Sequence, residues 1–260
     1  MEESNEEEKK VIKISLNKVI VIMLAVIILA IIIYIGIEKH NKPVFSGVHG
    51  LDVCDEKCNE YNSQELFPYA KDFYGVDDKP VIYLYPEEKI EVSVKLGRSE
   101  NLTCSYPKYE EKGWNVTSEP SGKLTDLNTG RELYCLYWEG LNTNETNMNE
   151  GFVIKGEDTI KFLEEKLEIL GLNEKEAQEF IIYWLPQMEN NKYNYIRFET
   201  LEEINKNMPL EVAPVPDTII RINMQWKKID EYIEVKEQKL EEILERKGFT
   251  VVEWGGTKIN

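Results

Sequence analysis

Apolar and polar positions divide the chain into three regimes. Residues 19–37 carry no charge, and Ile, Val and Leu fill 14 of those 19 positions. As a helix the run is about 28 Å long, close to the roughly 30 Å of a bilayer's hydrocarbon core. At roughly −0.5 kcal/mol per residue on an insertion scale, the aliphatic positions contribute on the order of −7 kcal/mol. The run is too long for a signal peptide and ends without a small-residue cleavage site. A buried core helix of five turns would show a polar face. The pattern predicts one transmembrane helix over 19–37, preceded by a short charged tail over 1–18. A polar juxtamembrane stalk over 38–78, without sustained period, follows it.

From Pro80 the pattern becomes that of a folded domain, predicted over 79–260. Val81-Ile82-Tyr83-Leu84-Tyr85 is apolar on both faces, as in a buried strand, and Pro86 stops it. Ile90, Val92, Val94 and Leu96 alternate with Glu91, Ser93 and Lys95, the mark of a half-exposed strand. Further strands are predicted over 102–106, 114–118 and 133–138, with turns at Pro120-Ser121-Gly122 and Asn128-Thr129-Gly130, which together read as a β-meander. Two helices follow. Asp158 can cap the first, whose stripe is Ile160, Leu163, Leu167 and Leu170, and Gly171 ends it. Asn173 and Glu176 form a capping box for the second, with the stripe Ala177, Phe180, Ile181 and Trp184 and a stop at Pro186. The short link predicts an antiparallel hairpin on the sheet. Strands resume over 195–198, 220–226 (Ile220, Ile222, Met224 and Trp226 alternating with Arg221, Asn223 and Gln225) and 249–254. Residues 234–247 fit either a helix through Leu240, Ile243 and Leu244 or an extended segment. The fold class is α+β: a mainly antiparallel sheet or sandwich carrying a helical hairpin.

Charge sets the orientation. Lys9, Lys10, Lys13 and Lys18 precede the span, and Lys39 and Lys42 follow it. The lysine-rich side stays in the cytoplasm, so the large domain is expected outside a cell membrane that the chain crosses once. The net charge is −17, nearly all of it on the outer part, and such a surface repels phosphates and so disfavours nucleic acid. Cys54, Cys58, Cys104 and Cys135 are even in number, which permits two disulfides in that compartment: Cys54 with Cys58, and Cys104 with Cys135. Free buried thiols are the alternative. Zinc fails on spacing, because the later pair is isolated and no histidine is near.

Several strings resemble, as a set, a family of uncharacterised, mostly bacterial proteins that are often exported or membrane-anchored. They are Tyr83-Leu84-Tyr85-Pro86, Gly113-Trp114-Asn115-Val116-Thr117, Leu136-Tyr137-Trp138-Glu139-Gly140, Tyr183-Trp184-Leu185-Pro186, Pro216-Asp217-Thr218 with Arg221, and Val251-Val252-Glu253-Trp254-Gly255-Gly256. The resemblance covers roughly Lys79 to Thr257 and implies no activity.

Both histidines, His40 and His49, fall in the stalk, which argues against Ser-His-Asp or Cys-His catalysis and against histidine-bound metal in the domain. No P-loop or dinucleotide fingerprint occurs, so no cofactor is expected. Two readings remain. In the first, the domain is non-enzymatic and binds a cell-envelope component or another protein through aromatic and cationic side chains such as Trp138, Trp254, Arg197 and Arg221. In the second, Glu139 and Glu253, each beside a tryptophan, are the paired carboxylates of a hydrolase acting on a glycan, which requires them about 5 to 10 Å apart. Against the second stands pairing of these glutamates with buried arginines.

Overall fold

In a computed structural model, the described residues are 75–242 and 245–259. The tail, the predicted span, nearly all of the stalk, Cys54 and Cys58 lie outside them. Among the described residues no helix is long and apolar enough to cross a membrane.

Two sheets and a helical hairpin make three layers. The large sheet runs in the order β12 (Lys236–Glu237), β8 (Glu150–Lys155), β9 (Tyr193–Phe198), β11 (Thr218–Ile229), β13 (Thr250–Lys258), β1 (Gly75–Tyr85), β7 (Leu136–Asn142) and β3 (Leu102–Tyr106). The small sheet runs β10 (Leu210–Ala213), β2 (Ile90–Leu96), β4 (Trp114–Ser118), β5 (Leu124–Asp126) and β6 (Glu132–Leu133). Pairing is antiparallel except between β11 and β13 and between β12 and β8. The class is α+β, but the first half is not a meander: β1, β3 and β7 join the large sheet, while β2, β4, β5 and β6 build the small one.

The hairpin consists of α1 (Thr159–Ile169) and α2 (Glu174–Met188). The predicted box at Asn173 and Glu176 is present, with each side chain bonded to the other's backbone. Glu176 is wholly buried and its carboxylate is paired with Arg246, whose guanidinium also donates to the Gly171 carbonyl. Three expectations change. Asp158 makes no side-chain cap; a short 3-10 turn leads into α1 instead. Ile160 faces solvent, so the stripe begins at Leu163. Pro186 sits inside α2 rather than ending it. It removes one N–H so near the end that only two more residues need to continue the turn. The described residues of 234–247 are not helical; β12 and irregular chain occupy them.

One core lies between the large sheet and the hairpin, where Leu163, Leu167, Phe180 and Trp184 meet Ile196, Met224, Val252 and Trp254. A second lies between the sheets, where Ile82, Leu84, Leu136 and Val251 meet Val92, Val94, Val116 and Leu124. The string Trp254-Gly255-Gly256 now has a physical reason. A Cβ on Gly256 would lie 2.5 Å from Trp184, and one on Gly255 would lie 2.9 Å from Pro80. Strand β13 is stripped of side chains where α2 and β1 press onto it.

A third helix, α3 (Leu201–Asn207), was not predicted, although Thr200 and Glu203 form a second capping box. It lies on the large sheet's face opposite the hairpin, as its contacts with Arg221, Asp77 and Asn144 show.

Candidate functional site

The chemistry of the domain is organised by an irregularity in β1. Pro80 has no N–H to give a ladder, and Lys79 before it has φ 61°, the one non-glycine among the described residues in the left-handed region. The ladder to β13 is interrupted between Asp78 and Val81, and that to β7 between Asp77 and Val81. Bulges of this kind re-aim side chains, and strained backbone concentrates at functional positions. Here three consecutive charged residues are dealt to different surroundings.

Asp77 enters a buried polar layer on the α3 face of the large sheet. Its carboxylate accepts hydrogen bonds from Asn142, Asn207, Asn223 and Thr257. Asn223 also donates to Glu199, 2.5 Å away, and Asn144 donates to the other Glu199 oxygen. Burial raises the pKa of Asp77 against those hydrogen bonds. Burial, with Asp77 adding to it, pushes Glu199 up to about 7. The adjoining space is about 10 Å³, room for a single water at most. These side chains fasten α3 and the loop after β7 to the sheet, and the space beside them is too small for a substrate.

The candidates named from sequence are divided by the sheet. Arg221, Glu253 and Trp138 come together in the α3-side layer. Arg221 Nε donates to Glu253 at 2.6 Å, Trp138 Nε1 donates to the same carboxylate at 2.9 Å, and Arg221 Nη1 reaches Asn205 and the Met208 carbonyl. Arg197 is also buried there, with its Nη2 on Glu203. Trp254 and Glu139 lie on the opposite side. In the register, Ile82 stands beside both Leu136 and Glu253, and Val81 beside both Tyr137 and Trp254. Side chains alternate along a strand, so Glu139 shares the face of Tyr137 while Glu253 shares that of Leu136. The two glutamates are on opposite faces of one sheet and cannot flank a single glycosidic bond.

Cys104 and Cys135 are free thiols, exposed and buried respectively, rather than a disulfide. Cys104 on β3 pairs with Glu139 on β7, four residues beyond Cys135. Four strand residues span about 13 Å, and a disulfide needs Cα atoms within about 7 Å. Burial pushes the Cys135 thiol up to about 11, so it is protonated at neutral pH and a poor nucleophile.

The hairpin face carries an open cleft of about 350 Å³, lined by Lys79, Val81, Tyr134, Glu179, Ile182, Tyr183 and Trp254. The bulge turns Lys79 into it, with the ammonium 5.2 Å from the ring centre of Tyr137 and 5.9 Å from that of Tyr183. The buried Tyr83 donates its hydroxyl to Glu179 of the lining. Asp78, nearby on this face, is raised to about 7 by burial, then by Glu139 and Asp77. Among the described residues no group of His, Cys, Asp and Glu is arranged to hold a metal ion. Sequence reasoning found Trp254 but missed Lys79, Tyr134, Glu179 and Tyr183. The available signal was Asp77-Asp78-Lys79-Pro80, charged residues and a proline opening a buried strand.

No family model matches the chain, and no solved structure matches it. A protein of Butyrivibrio fibrisolvens, "Uncharacterized protein in bglA 3'region", is 46% identical over 68 residues, which are 25% of this chain and 69% of that protein. By that identity over most of the relative's length, the chain belongs to the family of this Butyrivibrio protein.

Proposed function

We propose that the chain is a single-pass membrane protein whose extracytoplasmic domain captures a cell-envelope component in the cleft between α2 and the large sheet. The observation that carries this reading is Lys79. A left-handed lysine costs roughly 1–2 kcal/mol relative to ordinary backbone, and here that conformation sets an ammonium over two tyrosine rings at the mouth of an open cleft. Strained backbone of this kind concentrates at active sites and ligand clamps. The span over 19–37 and the lysine bias around it supply the tether and the side of the membrane.

The test has two arms. Full-length protein in detergent is sedimented with isolated cell envelopes, alongside Lys79→Ala and Tyr183→Ala. Wild type should pellet and each variant should stay largely in solution while still melting cooperatively, Lys79→Ala at the wild-type temperature and Tyr183→Ala somewhat lower because its ring packs on Trp184; equal pelleting of all three overturns the cleft. Protease added to intact cells expressing the chain should digest the domain without lysis. Protection until lysis overturns the placement.

A further inference from the structure

The cleft does not stop at Glu179. Beyond Tyr134 lies a second open cleft of about 330 Å³, lined by Ser121, Gly122, Lys123, Glu132 and Lys175, with Tyr134 bordering both. Both volumes fall in the range of small-ligand sites, roughly 300–1,000 Å³. Tyr134 is 53% exposed, and the Lys175 ammonium sits 5.4 Å from its ring centre. The far cleft is shaped by the turn at Gly122, where φ is +82° and a Cβ would lie 2.6 Å from the Tyr85 ring.

We infer that the two clefts form one groove that binds a linear, uncharged polysaccharide strand, with Tyr134 as the stacking residue at its middle. The inference rests on the binding reading above and names the ligand class of that same site. Three features select it. The groove presents aromatic rings at intervals, Tyr183 within the first cleft and Tyr134 between the two, and such rings stack on the apolar C–H faces of sugars. Its charges nearly cancel: Lys123 is paired with Glu132 and Lys175 lies 3.9 Å from Glu179, which leaves Lys79 as the single surplus cation of the lining. That balance offers hydrogen bonds to hydroxyl and amide groups without the cationic excess a polyanion would need. A peptide adding as a strand needs a length of free sheet edge, and β6, the edge strand beside the groove, is two residues long.

The experiment is calorimetric titration of the full-length protein in detergent with cellohexaose, with N-acetylchitohexaose, and with the corresponding disaccharides. At least one hexasaccharide should bind about tenfold or more tighter than its disaccharide, because only the longer chain crosses Tyr134. Tyr134→Ala should weaken the hexasaccharide about tenfold, equivalent to about 1.4 kcal/mol, without lowering the melting temperature. Absence of hexasaccharide binding, or binding indifferent to Tyr134→Ala, overturns the glycan assignment. If envelope pelleting still depends on Lys79 in that case, the binding reading stands and the occupant is of another class. If pelleting is also indifferent to Lys79, the reading falls with it.

Discussion

Replacing Glu253 by glutamine tests whether the buried ion pair is structural. The Arg221 and Glu253 side chains are 1% and 4% exposed, so neither charge has access to water. Glutamine keeps the shape and one acceptor oxygen, enough for either the Trp138 or the Arg221 hydrogen bond but not both. What it removes is the countercharge, leaving a buried guanidinium held by Asn205, the Met208 carbonyl and at most one neutral amide oxygen. Breaking a buried pair from one side costs roughly 3–5 kcal/mol, and the retained oxygen places this case near the lower figure. For a domain of this size that is a fall of roughly 6–12 °C in melting temperature. Tryptophan fluorescence of the full chain in detergent is a suitable readout, because all five tryptophans are buried. Adding Arg221→Met should recover much of the loss, since a paired charge replaced on both sides by neutral groups is tolerated. A Glu253→Gln protein within about 0.5 kcal/mol of wild type would refute the reasoning, and so would a double variant whose two losses simply add.

Other consequences follow from the same geometry. Glu199 has a folded-state pKa near 7 against 4.5 in the unfolded chain, so its contribution is full below about pH 4.5 and is lost as pH rises through 7. Thermal melts should show stability falling between about pH 5 and 8, by on the order of 3 kcal/mol from this group, and Glu199→Gln should flatten that slope; an unchanged slope counts against the buried layer. Gly156→Ala would set a Cβ 2.2 Å from the Asn191 carbonyl oxygen and 2.5 Å from that of Glu189. Both are backbone atoms of the turn after α2, so urea denaturation should register a loss of roughly 1–3 kcal/mol, and a neutral result would contradict the close approach of β8's end to that turn. Maleimide labelling read by peptide mass spectrometry should modify Cys104 in the native protein and Cys135 only after denaturation; a peptide linking the two would contradict the register of β3 on β7.

What was legible in the sequence is what neighbouring residues decide among themselves. The hairpin was readable because its signals are local: Gly171, Asn173, Glu176 and a stripe with helical period. Strand β2 was readable because one of its faces meets a core and the other is more open, so its alternation reports a difference the residues themselves carry. Strand β11 has the same alternation, but here it does not separate a core face from an open one. Arg221, Asn223 and Gln225 are all three buried, because polar residues of β9, β13, β1 and β7 meet them in one internal layer. That layer exists only once five strands are ordered, and the order is set by contacts as distant as Asp77 with Thr257.

The fate of Glu139 and Glu253 follows from the same limit. Each is a glutamate beside a tryptophan near a glycine, and nothing local separates them. On one strand, parity says which residues share a face. Across strands, the face depends on register, and register belongs to the assembled sheet. Here β1 lies between the two and carries the answer through Val81 and Ile82. A shift of one residue in either ladder would have put both carboxylates on one side, the first requirement of the hydrolase geometry. The bulge at Lys79 therefore has a second consequence. It interrupts the ladders on both sides of β1 just before this register begins, so the backbone that aims the lysine into the cleft also fixes which glutamate is buried against Arg221 and which faces the tyrosines.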